Sequence, residues 1–275
     1  MSGPVLPGLE GRVAIVTGAN QGIGAATAVE LARHGAAVLV SYFRMAPGEP
    51  DPERPDAYDR DRALDGGTVV DTIRAAGGRA DAIETDLTDL TVVPALFDAA
   101  EERFGPVDVL VHNASAWRKD TFGESGLDHL DRPTDAVTAE SGEGQFLVDA
   151  RAGGLLIMEL ARRHRARGAT SGRIITMTSG GHNGFPGEAS YGAAKAALDN
   201  YTMTAAQELG TIGITANVIH PPATDTGWIS PAIAEFIERE DILGRIGQPQ
   251  DVAEVIAWLC SDLGRYVSMN VIRMG

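Results

Sequence analysis

Three observations predict an α/β fold with a doubly wound sheet. Along the 275 residues, short apolar runs rich in Val and Ile alternate with stretches of helical periodicity. The apolar runs are continuous instead of alternating apolar with polar, as expected of strands covered on both faces of a parallel sheet. A glycine-rich turn follows the first run and opens a helix. Right-handed crossovers then give one domain, residues 1–275, with a seven-stranded, mainly parallel sheet and helices on both faces.

The expected strands are Arg12–Thr17, Ala37–Tyr42, Arg79–Thr85, Val107–His112, Gly172–Ser179, Gly213–Ile219 and Asn270–Met274. Helices fit between them at Gly22–His34, Gly67–Ala76, Leu90–Phe104, Ser141–Arg167, Glu188–Leu209 and Pro249–Leu263. Two stretches break the rhythm. Met45–Gly66 is rich in Pro, Asp and Arg and reads as an extended loop, disordered or a surface flap. Ala116–Glu140 is polar and irregular. In the fourth helix Gly153-Gly154 implies either a close approach of another segment or a bend, because glycine weakens a helix interior.

Composition narrows the class. With 44% hydrophobic and 22% charged residues the chain is an ordinary globular protein, not a disordered one. One cysteine, Cys260, excludes an intrachain disulfide framework and a multi-Cys zinc site, and no metal site is expected. No apolar run reaches the ~18 residues of a membrane span, and residues 1–12 carry no secretory pattern. A reducing cytoplasm is the expected location. The net charge of −15 disfavours nucleic acid and anionic lipid as partners. An anionic ligand must therefore be caught by local groups.

Such groups are present. Gly18-Ala19-Asn20-Gln21-Gly22-Ile23-Gly24 lies between a strand and a helix. Glycines there permit a tight turn and close approach of a pyrophosphate, and the helix N-terminus adds partial positive charge. No carboxylate occurs from Ala36 to Pro47, where one would hold the free ribose of NAD. Tyr42 and Arg44 stand there instead, and a guanidinium suits the 2′-phosphate of NADP(H). Further along, Tyr191 and Lys195 are spaced i, i+4, on one helix face. An ammonium beside a phenol favours the phenolate, which makes a general acid/base for a carbonyl–alcohol pair. Ser179 closes the fifth strand, at the sheet end where ligands gather.

In this order, the turn, Asn113, Ser179, Tyr191 and Lys195 resemble the single-domain, classical type of the short-chain dehydrogenase/reductase family, from about Gly11 to Met274. The resemblance implies a Rossmann-type fold and hydride transfer between NADP(H) and a ketone or secondary alcohol. It implies that Thr17, Gly18, Gly22 and Gly24, with Asn20, Gln21 and Ile23, cradle the pyrophosphate. Asp86 and Leu87 match the adenine contact, and Asn113, Ala114 and Ser115 match the segment near the adenosine ribose. Tyr191 would be the general acid, Ser179 would orient substrate, and Lys195 would hold the nicotinamide ribose and depress the Tyr191 pKa. Pro221, Thr224 and Thr226 match the element that meets the carboxamide and pyrophosphate, and residues 227–245 match a substrate lid. The resemblance also implies a homodimer or homotetramer through the two long helices.

The chain departs from the family pattern in places. His112 and Ser115 replace residues of the Asn-Asn-Ala-Gly element, and Pro222 replaces a glycine. Asp149 stands where the family has a catalytic Asn; its carboxylate pairs Lys195 through a water or weakens the effect of the lysine on Tyr191. His182 and Asn183 stand between Ser179 and Tyr191 as candidate substrate contacts, with a solvated loop the alternative. Two other functions remain open. A 3-oxoacyl-(acyl-carrier-protein) reductase would use Arg162, Arg163, His164, Arg165 and Arg167 to dock an acidic carrier. A regulatory NADP(H)-binding protein with impaired catalysis is motivated by Asp149 and Pro222.

Overall fold

The computed structural model describes residues 5–46, 55–123, 126, 134–180, 184–240 and 242–275. The first strand, β1 (Val13–Thr17), leads into α1 (Gly22–Arg33) and β2 (Ala37–Tyr42). Further along come α3 (Gly67–Ala75), β3 (Arg79–Glu84), α4 (Val92–Phe104) and β4 (Val109–His112). The second half carries β7 (Gly172–Met177), α7 (Ala189–Leu209), β8 (Ile214–His220), α9 (Pro249–Cys260) and β9 (Asn270–Arg273). These seven strands form one all-parallel sheet in the order β3-β2-β1-β4-β7-β8-β9. The chain winds outward from β1 in one direction and from β4 in the other. Their junction is the switch point where such sheets bind ligands.

The continuous apolar runs serve two cores. Val16, Val38 and Val40 pack with Leu31 of α1 and Ile256 of α9 on one face. Ile15, Leu39 and Leu110 pack with Phe97 of α4 and Leu156 on the other. Alternate strand residues point to opposite faces, so every position must be apolar.

Four expectations need correction. The fifth sheet strand stops at Met177, so Ser179 sits in the following loop, two residues past its end. The expected helix Ser141–Arg167 is three pieces: α5 (Ala139–Gln145), a π-helical segment Phe146–Arg151, and α6 (Ala152–Ala166). The described part of Met45–Gly66 is not an extended loop, because α2 (Asp56–Arg62) forms within it; residues 47–54 lie outside the described residues. Ala116–Glu140 contains two short strands, β5 (Asp120–Thr121) and β6 (Asp135–Ala136), which pair in parallel.

Of the two explanations for Gly153-Gly154, close approach is observed. A Cβ on Gly153 would lie 2.4 Å from Leu198 Cδ1 and 3.0 Å from His112 Cδ2, both buried. One on Gly154 would meet only the Tyr201 ring, at 3.4 Å. Gly153 lets α7 pack against α6 and β4, which fixes the helix that carries Tyr191. Gly153→Ala should therefore lower stability by about 1–2 kcal/mol despite the better helix propensity of alanine. Gly154→Ala should leave stability equal or raise it by up to about 1 kcal/mol. Urea unfolding of the two variants checks this; equal effects would contradict the packing argument.

Candidate active site

The phosphate-binding turn owes its shape to missing side chains. Gly18 has φ +61°, and a Cβ there would lie 2.8 Å from Ala114 Cα. A Cβ on Gly24 would fall 2.2 Å from the Gly18 carbonyl oxygen, and one on Gly22 would lie 2.8 Å from Thr226 Cγ2. Asn113 Nδ2 donates to the carbonyls of Thr17 (3.2 Å) and Gly18 (2.9 Å), tying the end of β4 to the turn. Ile23 packs against the core.

Beside the turn lies a cleft of about 470 Å3, lined by Gln21, Gly22, Ala57, Asp61, Thr226 and Ile229 among others. Asn20 is directed elsewhere, with its Nδ2 donating to the Leu64 carbonyl at 2.8 Å. Leu64, just after α2, therefore lies against the turn. The glycine cradle, the cleft and a buried Ser115 hydroxyl with no partner among the described residues fit a dinucleotide.

At the ends of β2 and β3, Tyr42 and Glu84 are register partners. Arg44 is not free there: its guanidinium is bound by Glu84, with Nη2–Oε2 at 2.7 Å. Asp86 accepts from the Thr88 backbone N–H (2.9 Å) and hydroxyl (2.7 Å), which fixes the turn after β3, and Leu87 is buried.

Across the sheet end lies a buried polar cluster. Lys195 Nζ is 2.8 Å from Asp149 Oδ1, with both side chains almost fully buried. The contact is direct, where the sequence suggested pairing through a water. The π-helical segment carries Asp149, whose Oδ2 also accepts the Ala116 backbone N–H at 3.1 Å. Lys195 has its pKa raised: burial opposes its charge, but Asp149, Tyr191 and Asp199 together outweigh it. Lys195 Nζ lies 5.5 Å from the centroid of the Tyr191 ring.

The expected lowering of the Tyr191 pKa is reversed. Burial pushes the phenol up, and the Asp149 and Glu188 carboxylates add to this. Lys195 and a hydrogen bond with Ser179 pull it down without prevailing.

His112 supports this cluster from below. Its Nε2 lies 3.1 Å from the Asp149 carbonyl oxygen, so that nitrogen carries the proton. Its Nδ1 then accepts from the Thr17 hydroxyl at 3.0 Å. Thr17 Oγ1 in turn accepts the backbone N–H groups of Asn113 and Ala114, each at 3.1 Å. One chain of hydrogen bonds thus links the phosphate turn to Asp149.

After β8, Thr224 Oγ1 donates to the Pro222 carbonyl (2.8 Å), and Trp228 Nε1 donates to the Thr224 carbonyl (2.8 Å). The turn holding Pro221, Thr224 and Thr226 thereby connects to α8 (Pro231–Glu240). His182 and Asn183 lie outside the described residues. Among the described residues no cluster could hold a metal ion, and no helix is long and apolar enough to cross a membrane.

Comparison with known proteins agrees with this geometry. The short chain dehydrogenase family model matches residues 12–49, and the enoyl-(acyl carrier protein) reductase model matches residues 57–274. The chain belongs to the short-chain dehydrogenase/reductase family. The two matches leave residues 50–56 between them.

An NADPH-dependent aldehyde reductase-like protein of Arabidopsis thaliana is 34% identical, over 99% of this chain and 95% of its own. A short chain dehydrogenase from Burkholderia cenocepacia, solved with NADP, has TM-score 0.79 and 30% identity, covering 97% of each chain. The angucycline C-6 ketoreductase LanV, also solved with NADP, has TM-score 0.77 and 28% identity, covering 97% of this chain and 95% of its own.

The family pattern does not point to four residues that shape this site. Trp117 Nε1 donates to Glu188 Oε2 at 2.8 Å, three residues before Tyr191. Asp120, fully buried, accepts the Ser190 backbone N–H (2.8 Å) at the start of α7 and the Ser141 hydroxyl (2.7 Å). Tyr58 of α2 meets Trp117 edge to face, with centroids 6.3 Å apart. Trp117 and Asp120 stand in an irregular stretch, Tyr58 in a Pro- and Asp-rich one and Glu188 at a helix start, so none carries a periodic signal.

Burial holds the His112 pKa down at about 4, with the Lys195 ammonium adding to the effect. Unfolding restores a value near 6.5, so the unfolded chain binds the extra proton between pH 6.5 and 4. The contribution is full above pH 6.5 and is lost as pH falls, by up to about 3 kcal/mol. His112→Asn should flatten the fall in urea-unfolding free energy over that window. An unchanged slope would contradict the assigned role of His112.

Proposed function

We propose that the chain is an NADP(H)-dependent oxidoreductase that interconverts a ketone and a secondary alcohol. The observation that carries this reading is the half-buried Tyr191 beside the buried Lys195–Asp149 pair, together with a glycine-lined turn at the switch point of the sheet. The NADP-bound neighbours and the NADPH-dependent relative support the choice of coenzyme. LanV, a ketoreductase, supports a carbonyl substrate.

In this reading Gly18, Gly22 and Gly24 hold the pyrophosphate, with Thr226 closing over it, and Arg44 meets the 2′-phosphate. The bound coenzyme supplies the hydride. Tyr191 is protonated at neutral pH, as an ordinary phenol of pKa about 10 is, and burial with two carboxylates holds it further to that side, so it enters reduction in the form that donates. Its phenol donates that proton to the carbonyl oxygen as negative charge develops there, and Ser179 orients the same oxygen. Lys195, kept cationic by Asp149, stabilises the resulting phenolate.

α8 and the turn before it form one side of the cleft, in keeping with a lid over 227–245. Exposed Met158 and Tyr201, on the helices expected to pair, support self-association as a homodimer or homotetramer.

The basic cluster argues against carrier-protein docking. Arg163 is bound by Asp98, Glu101 and Glu159, Arg162 by Glu159, and Arg167 by Asp108. Arg163 and Arg167 tie the end of α6 to α4 and the sheet, while Arg162 pairs within α6.

Tyr191→Phe should lower the kcat for NADPH-dependent ketone reduction by at least about 100-fold. NADPH affinity, read by nicotinamide fluorescence, should change by less than about twofold. Retained turnover in this variant would remove Tyr191 as the acid. Loss of NADPH binding would instead assign the residue a structural role.

A further inference from the structure

We infer that Glu84 is a specificity-determining residue that competes with the 2′-phosphate of NADP(H) for Arg44. This deepens the proposed function and rests on its reading of Arg44. The pair is built by strand register. Tyr42 and Glu84 lie opposite each other at the ends of β2 and β3, and the Thr85 backbone N–H donates to the Tyr42 carbonyl at 2.7 Å. The Ser41 and Thr85 hydroxyls, 2.5 Å apart, tie the two strands again just inside. Glu84 is therefore held beside the segment where Arg44 leaves β2.

The contact occupies the guanidinium fork. Arg44 Nε lies 3.0 Å from each Glu84 oxygen and Nη2 lies 2.7 Å from Oε2, while the Arg44 backbone N–H reaches Oε1 at 3.3 Å. Each charge favours the other: Glu84 raises the Arg44 pKa and Arg44 lowers that of Glu84.

The side chains are 58% and 34% exposed, so the pair adds little to stability. Its consequence lies in recognition. Glu84 holds Nε and Nη2, one of the two edges through which a guanidinium binds a phosphate in bidentate fashion. A 2′-phosphate must either displace the carboxylate from this edge or take the Nη1 side, and in both cases it binds with that negative charge beside it. NADH carries no phosphate at this position and leaves the pair intact. Glu84 therefore weakens NADPH binding selectively and narrows the preference between the two coenzymes.

The test uses the full chain and reads binding alone. NADPH and NADH are titrated by nicotinamide fluorescence, and 2′,5′-ADP and 5′-ADP by calorimetry, against wild type, Glu84→Gln, Glu84→Ala and Arg44→Ala. Arg44→Ala should weaken NADPH and 2′,5′-ADP at least tenfold, with NADH and 5′-ADP within twofold. Both Glu84 variants should tighten NADPH and 2′,5′-ADP about fivefold, again with NADH and 5′-ADP within twofold. If Arg44→Ala has its effect and the Glu84 variants do not, the inference about Glu84 is overturned while the reading of Arg44 stands. If Arg44→Ala has no effect, the reading of Arg44 falls and the inference falls with it. If the Glu84 variants change all four ligands alike, the residue is structural and the inference is overturned.

Discussion

An ammonium buried beside a carboxylate constrains everything around it. Taking either charge out of water alone is costly, and removing one partner leaves the other stranded. Lys195 and Asp149 must therefore arrive together, from α7 and from the π-helical segment before α6. Gly153 lets those helices approach. His112 carries the constraint on to Thr17 and the phosphate turn. The glycine turn and the buried Lys195–Asp149 pair are in this sense one hydrogen-bonded unit.

The same pair sets the chemistry of Tyr191. A lysine alone would favour the phenolate. With Asp149 neutralising much of that charge, and Glu188 adding more negative potential, the phenol stays protonated. The carboxylate at position 149 keeps Lys195 in place by a direct ion pair and at the same time holds the Tyr191 phenol toward its neutral form.

Much of this was legible in the residues. Continuous Val- and Ile-rich runs give a buried parallel sheet because both faces are covered, and the seven strands appear within one or two residues of expectation. Strand ends were less legible: Ser179 reads as part of β7 because nothing in its side chain signals that pairing stops at Met177. The π-helical segment was invisible, since one extra residue per turn leaves no mark on a short apolar pattern. Met45–Gly66 read as loop because Pro, Asp and Arg dominate it, yet Asp56–Arg62 folds against the cleft through Tyr58, Trp117 and the Asn20–Leu64 contact. Arg44 was legible as a candidate phosphate reader. Its partner Glu84 lies 40 residues on and is brought close only by the register of two strands.

The central claim is that Lys195 is held charged in the interior by Asp149. The chain contains two lysines, Lys119 and Lys195, so a sample labelled with 15N-lysine gives two side-chain signals, assigned with a Lys119→Arg variant. Following the Nζ resonances with pH measures the claim directly. Lys195 should remain an ammonium beyond the ordinary lysine pKa of about 10.4, and Asp149→Asn should bring its titration down. A Lys195 signal that titrates at or below the ordinary value in the unaltered chain would contradict the account.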